Sequence, residues 1–290
     1  MLSGLVTRRC LILTLPCVIA VAFIGRSVPA QDVLAGQRVF YTGHSFHMFV
    51  PQRVEQLAAS AGIFGHRTVG RQGIGGSRVI QHWELSGGQN QARTALTGGQ
   101  VDVFTMAAHL EIPDQGIENF VDLGLLNNPK LRLLVQASWL PFDATSPERR
   151  IRDNSEREAT DLVILQTATD TWRRKLEAQV DDLNTRRRKE SVFIVPVGDA
   201  VNTLRRQVKA GEFPGVTKQA ELFRDPIGHG LGHIQALAAY CNFAAIYGRS
   251  PADLKLNEPG VTDEQHAILE RIAWDVVSKY DHSGVKPKVK

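Results

Sequence analysis

Gln37-Arg38-Val39-Phe40-Tyr41-Thr42-Gly43-His44-Ser45-Phe46 passes from a β-prone run over residues 37–41 into a tight turn, after which Val50, Val54, Leu57 and Ala58 recur at helical spacing. Strand, turn, helix is the reading, and the same alternation continues downstream. An extended piece at residues 66–70 runs into the glycine cluster Gly73, Gly75, Gly76, and a polar helix covers residues 89–96. A strand over 101–106, a helix around 117–126 and a strand over 131–135 follow. Strands that alternate with helices specify a mostly parallel sheet covered on both faces, hence an α/β chain.

Beyond this, residues 155–189 are charged and helical by spacing, with Leu162, Leu165, Leu176, Val180 and Leu183 as the apolar positions. Residues 192–197 read as the last strand, followed by a Pro/Gly-rich loop through Gly211 and Gly215. Residues 233–247 form a nearly all-apolar helix stopped by Gly248 and Pro251. A final helix covers about 263–280, and the Lys/Val/Pro tail 285–290 is expected to be disordered.

The 290 residues are 43% hydrophobic and 22% charged, enough for a sizeable core, which excludes a disordered or collagen-like chain. No linker or repeat divides residues 31–284, so one domain is expected there. Only Cys10, Cys17 and Cys241 are present, which excludes a disulfide framework, and Cys241 lies within the apolar helix as a core residue.

Residues 1–30 read as an export signal: Arg8 and Arg9, an apolar run over 10–24, and a small-residue site ending at Ala30. The run falls short of the roughly 20 residues needed to span a bilayer, so no membrane span is expected in the mature chain. Cys17 does not end the run, as a lipid-attachment cysteine would. Secretion or a periplasmic location, in a bacterium, follows as an expectation. Removal of Arg8, Arg9 and Arg26 takes the net charge from +4 to +1, which argues against a nucleic-acid partner. The dense run Arg186-Arg187-Arg188-Lys189 is read as a solvated helix end, where cations complement the helix dipole.

Parallel sheets place their sites at the carboxyl ends of strands, so Ser45 comes first. A serine there can attack an electrophile while backbone N–H groups face an oxyanion, although serine also serves as a plain helix cap. Serine needs a base to take its proton and a carboxylate to orient that base. Asp225-Pro226-Ile227-Gly228-His229, just before the last buried helix, supplies both. Gly75 and Gly76 follow the second strand, where an exposed N–H can join that of Ser45 in an oxyanion hole. His66, His266 and His282 lack partners at metal-ligand spacing and are expected on the surface.

Together these segments resemble the SGNH/GDSL superfamily of serine esterases and lipases over about residues 37–251. Gly43-His44-Ser45-Phe46 is similar to the first block, in the Gly-Asn-Ser-Phe style of one bacterial branch. Gly75-Gly76-Ser77 with His82-Trp83 is similar to the second, and Asp225 with His229 to the terminal Asp/His block. Gly248-Arg249-Ser250-Pro251 fits the same branch. The resemblance implies a three-layer α/β/α sandwich with a flavodoxin-like, mostly parallel sheet, and ester hydrolysis without a metal or other cofactor. The substrate would be a small-molecule or carbohydrate ester.

The chain departs from the family pattern twice. Three residues rather than two separate Asp225 from His229, and His109 follows Met106-Ala107-Ala108 where the family offers an amide side chain as oxyanion donor. His109 is therefore the candidate third donor beside Ser45 and Gly75. Two alternatives stand beside the esterase reading. One is a non-catalytic carbohydrate-binding module on the same fold. The other is a zinc-dependent hydrolase using Asp225, His229 and His233, with His44 and His47 nearby. Gly228, Gly230 and Gly232 weigh against a helix that would align the first three, since each costs about 1 kcal/mol relative to alanine.

Overall fold

The first strand, β1, is Arg38–Gly43, and Val39 and Tyr41 point to one core while Phe40 points to the other. A computed structural model describes residues 1, 2, 4 and 34–286. The segment expected to be an export signal therefore lies, apart from residues 1, 2 and 4, outside the described residues. Four more strands follow: β2 Arg67–Gly73, β3 Val103–Ala107, β4 Arg132–Gln136 and β5 Val192–Val195. All pair in parallel in the order β2-β1-β3-β4-β5, the flavodoxin-like arrangement.

Among the described residues eight α-helices cover the sheet: α1 Val50–Ser60, α2 Val79–Trp83, α3 Gln91–Thr97, α4 Gln115–Asn127, α5 Leu162–Arg187, α6 Val197–Ala210, α7 Gly232–Tyr247 and α8 Asp263–Ser278. One apolar core joins Val39, Leu134 and Val195 of the sheet to α1, α6, α7 and α8. The other joins Phe40, Phe104, Val135 and Ile194 to α3, α4 and α5. With every strand but the β2 edge buried on both faces, the expected three-layer α/β/α class is the one observed.

Three sequence expectations need correction. The loop expected after β5 is the helix α6. Pro196 sits at its N-cap, where a missing N–H costs nothing, and a Cβ on Gly198 would lie 2.7 Å from the Ser138 carbonyl oxygen. Both residues serve helix entry and packing rather than a break. Val285, expected in a disordered tail, is buried in the α7–α8 core. His66, His266 and His282, expected on the surface, are half-buried and meet the Tyr247 hydroxyl, the Tyr240 hydroxyl and the Asp181 carboxylate at 2.6, 2.9 and 3.1 Å. Among the described residues no helix is long and apolar enough to cross a membrane.

Other expectations hold in place. Cys241 is fully buried in α7, which ends at Gly248. Arg186 and Arg187 close α5 by pairing with Glu118 and Asp122 of α4.

Candidate active site

β1 sits between β2 and β3, and its carboxyl end delivers the turn His44-Ser45-Phe46-His47 at the point where the strand order reverses. The turn closes on itself through the His47 N–H to the His44 carbonyl at 3.0 Å and the Met48 N–H to the same oxygen at 3.3 Å. Helix α1 begins only at Val50 and its N-cap is Phe49, so Ser45 is not a helix cap. Ser45 is exposed while both its neighbours are buried.

The buried neighbours fix the turn. The His44 Nδ1 accepts the Phe46 N–H at 3.2 Å, so its Nε2 carries the proton and donates to the Ala108 carbonyl at 3.3 Å. The His47 Nδ1 donates to the Gln136 side-chain oxygen at 2.8 Å, leaving its Nε2 to accept from the Thr105 hydroxyl at 2.8 Å. Gln136, at the end of β4, returns its amide to the Phe46 carbonyl at 2.9 Å. Burial pushes both imidazoles down to about 4, so neither carries charge at neutral pH. The Phe46 N–H is thus occupied, whereas the Ser45 N–H has no hydrogen-bond partner among the described residues.

The distal loop comes to meet this turn. Phe223 and Gly230 form an antiparallel bridge, and the Arg224 N–H donates to the His229 carbonyl at 2.8 Å, so residues 224–229 form the tip of a small hairpin. Asp225 Oδ1 accepts the N–H groups of Gly228 and His229 at 3.1 and 3.2 Å. Its Oδ2 accepts from His229 Nδ1 at 2.7 Å. Burial alone would raise the Asp225 carboxyl, but the bonds from the His229 ring and the two backbone N–H groups outweigh it and hold the group below the usual carboxylate range. Since Nδ1–H is committed to Asp225, the Nε2 of a neutral His229 is an acceptor, and it lies 3.0 Å from Ser45 Oγ. The ring is further held edge-on against Phe46, centroids 5.5 Å apart.

A pocket opens beside Ser45. Gly76 and His109 line it, and Gly75, the expected donor, directly precedes Gly76 in the chain. The His109 Nδ1 is buried without a hydrogen-bond partner. His82, on α2, steadies the Gly76 loop: its Nε2 donates to the Ser77 hydroxyl at 2.8 Å, which donates to the Ile74 carbonyl at 2.9 Å, while Nδ1 accepts from Thr42 at 3.0 Å.

The set expected for zinc does not converge. His233 stands on α7 and meets the Gln265 side chain at 3.1 Å, and His44 and His47 are engaged as described above. Among the described residues no group of three His, Cys, Asp or Glu side chains is disposed to hold a metal ion.

Sequence reasoning missed several supports. Trp139, three residues past the end of β4, donates its indole N–H to the Gly228 carbonyl at 2.8 Å and stacks on Phe46 at 4.5 Å. Arg157, fully buried, donates to the carbonyls of Asp225 and Pro226 at 3.0 and 2.9 Å. Its other side pairs with Asp143, which also accepts from Arg205 at 2.6 Å. The rule that sends attention to strand ends would have found Gln136 and Trp139 had it been applied to β4 as well as to β1.

No family model matches the chain, and no curated protein does. Among solved structures it is similar to a DUF4886 family protein from Bacteroides uniformis, with a TM-score of 0.60, 13% identity, and coverage of 88% of this chain and 100% of that one. A protein provisionally described as an SGNH hydrolase, from Slackia heliotrinireducens, aligns at a TM-score of 0.42 and 16% identity over 72% of this chain and 97% of that one. Phospholipase A1 from Streptomyces albidoflavus aligns at 0.43 and 8% over 73% and 99%. At these identities the likeness is one of fold, and the chain has the three-layer α/β/α architecture it shares with the Bacteroides uniformis protein.

Proposed function

We propose that this chain is an exported serine esterase of the SGNH/GDSL type, cleaving carboxylic esters, among them acyl groups carried on carbohydrates. One observation carries the reading: Ser45 Oγ, the His229 ring and the Asp225 carboxylate stand in sequence at 3.0 and 2.7 Å, with the serine exposed at a strand end. That alignment favours catalysis over a module that merely binds a sugar, which has no need of a base beside a serine. Export rests on the pattern of residues 1–30.

In the proposed reaction Ser45 Oγ forms a bond to the ester carbonyl carbon as its proton passes to His229 Nε2, and the carbonyl electron pair moves onto oxygen. The ionised Asp225 stabilises the imidazolium so formed. The oxyanion is held by the Ser45 N–H, with the Gly75–Gly76 turn and the unpartnered His109 Nδ1 as flanking donors. Collapse expels the alcohol oxygen, which takes the proton from Nε2, and water repeats the sequence to release the acid.

The test is Ser45→Ala in the purified mature protein. Activity on short acyl esters falls at least about 10³-fold, and labelling by a serine-directed phosphonate is lost. The exposed side chain makes little packing contact, so stability changes by no more than about 0.5 kcal/mol. A variant as active as wild type removes Ser45 from the mechanism.

A further inference from the structure

The pocket beside Ser45 is small and its walls are fixed. Its volume is about 80 Å³, close to half of the roughly 150 Å³ cavity that accommodates a benzene ring. Phe46, Leu110, Trp139, Pro141, Trp172 and Ile227 supply the apolar wall. The two indoles cannot swing aside without losing hydrogen bonds: Trp139 Nε1 donates to the Gly228 carbonyl at 2.8 Å and Trp172 Nε1 to the His109 carbonyl at 3.2 Å. Both are buried, Trp139 at 2% exposure and Trp172 at 7%. Leu110 and Ile227, at 37% and 39% exposure, stand at the solvent rim.

We propose that this pocket receives the acyl part of the ester and restricts the enzyme to short chains of the acetyl-to-butyryl class. The proposal rests on the serine esterase reading, since only an acyl carbon attached at Ser45 Oγ places its chain here. A short chain is enclosed by Phe46 and the two indoles. A longer one passes the rim at Leu110 and Ile227 into water, where added methylenes gain no burial, or else forces the fixed indoles apart. Specificity therefore resides in the pocket's depth, set between the floor that Trp139 and Trp172 form and the rim at Leu110 and Ile227, and the alcohol side of the ester stays outside this pocket.

The test measures kcat/KM on p-nitrophenyl acetate, butyrate and octanoate, for the wild type and for Leu110→Ala and Leu110→Trp. Leu110 is a rim residue, so both variants are expected to fold, which circular dichroism and the melting midpoint verify. Wild type is expected to favour acetate or butyrate over octanoate by at least about tenfold. Leu110→Ala shifts the ratio toward octanoate, and Leu110→Trp shifts it further toward acetate. If octanoate is cleaved as well as acetate by an enzyme that Ser45→Ala inactivates, the chain-length proposal fails while the esterase reading stands. Unchanged ratios in both rim variants also overturn it. If every ester is inert and the phosphonate leaves Ser45 unlabelled, the esterase reading fails and takes this proposal with it.

Discussion

Three residues lie between Asp225 and His229, and Gly228, at φ 102°, absorbs the added length. A side chain there would be strained by that backbone and would crowd the Arg157 guanidinium and the Trp139 indole, both 3.3 Å from an added Cβ. His229 is thereby returned to Ser45, while His233 is turned toward Gln265 on α8. His229→Ala is accordingly expected to lower esterase kcat at least about 10³-fold, and His233→Ala to change it only a few-fold. Asp225→Asn costs less than loss of His229, since the imidazole remains but is held in the wrong tautomer. Rates for the three variants, measured with circular dichroism as a folding control, check the order; an inactive His233→Ala beside an active His229→Ala reverses the assignment. The convergence of Ser45, Asp225 and His229 was legible because a serine at a strand end would need a base and a carboxylate to act, and the sequence offers few. That Gly76 borders the pocket was not legible, because which residue of a glycine cluster lines a cavity is set by the local turn. Trp172 gave no signal either, since an indole on a long surface helix has no local mark of facing a site.

At the scale of elements, the loop bearing Asp225 is held from below by a buried charge cluster. Asp143 is paired with both Arg157 and Arg205, and accepts from the Thr160 hydroxyl at 2.8 Å. Phe142 and Asp143 both sit at positive φ, 57° and 48°, a backbone state that costs about 1–3 kcal/mol per residue and persists only where surrounding bonds demand it. Arg157 spans from this cluster to the Asp225 and Pro226 carbonyls, so its fork works on two partners at once. Arg157→Met is expected to destabilise the fold by about 3–5 kcal/mol, read by urea denaturation. Arg157→Lys restores charge without the fork and should recover part of the stability but leave kcat depressed, with KM moved less. Full recovery of kcat in the lysine variant would mean that charge alone positions the loop. Most elements were legible because two-sided burial gives short apolar strands and the helices have clear stops. α6 was not, although Val197, Ala200, Val201, Leu204 and Val208 follow helical spacing, because Pro196 and Gly198 read as breakers when they are an entry residue and a close contact. The buried arginines were equally hidden, since a lone Arg in a charged stretch reads as solvated until its partners from three distant segments come together.

For the whole molecule, the same histidines that shape the site make the fold sensitive to acid. His44, His47 and His82 are each at most 7% exposed, and burial lowers each to about 4 from an unfolded value near 6.5. A neutral imidazole is built into each hydrogen-bond pattern, because His44 Nδ1, His47 Nε2 and His82 Nδ1 all serve as acceptors. Between pH 6.5 and 4 the unfolded chain therefore binds more protons than the folded one, so stability rises with pH across that window. Their contribution is present above about pH 6.5, is lost as pH falls toward 4, and changes no further below that. Each histidine is worth on the order of 3 kcal/mol by this linkage, a large share of a typical domain's 5–15 kcal/mol. Asp225, held below the usual carboxylate range, stays ionised through the same window, so acid should unfold the protein before it discharges the carboxylate of the proposed triad. Urea denaturation from pH 7.5 to 4.5 is expected to show the midpoint falling steeply below pH 6.5, with roughly two to three protons taken up per molecule unfolded. His47→Gln should flatten that slope by about one proton, since the amide keeps a donor and an acceptor without a titrating group. A midpoint that stays level down to pH 4.5 would show that these imidazoles are reached by water and titrate in the folded state, and the rigid turn proposed for Ser45 would lose its foundation.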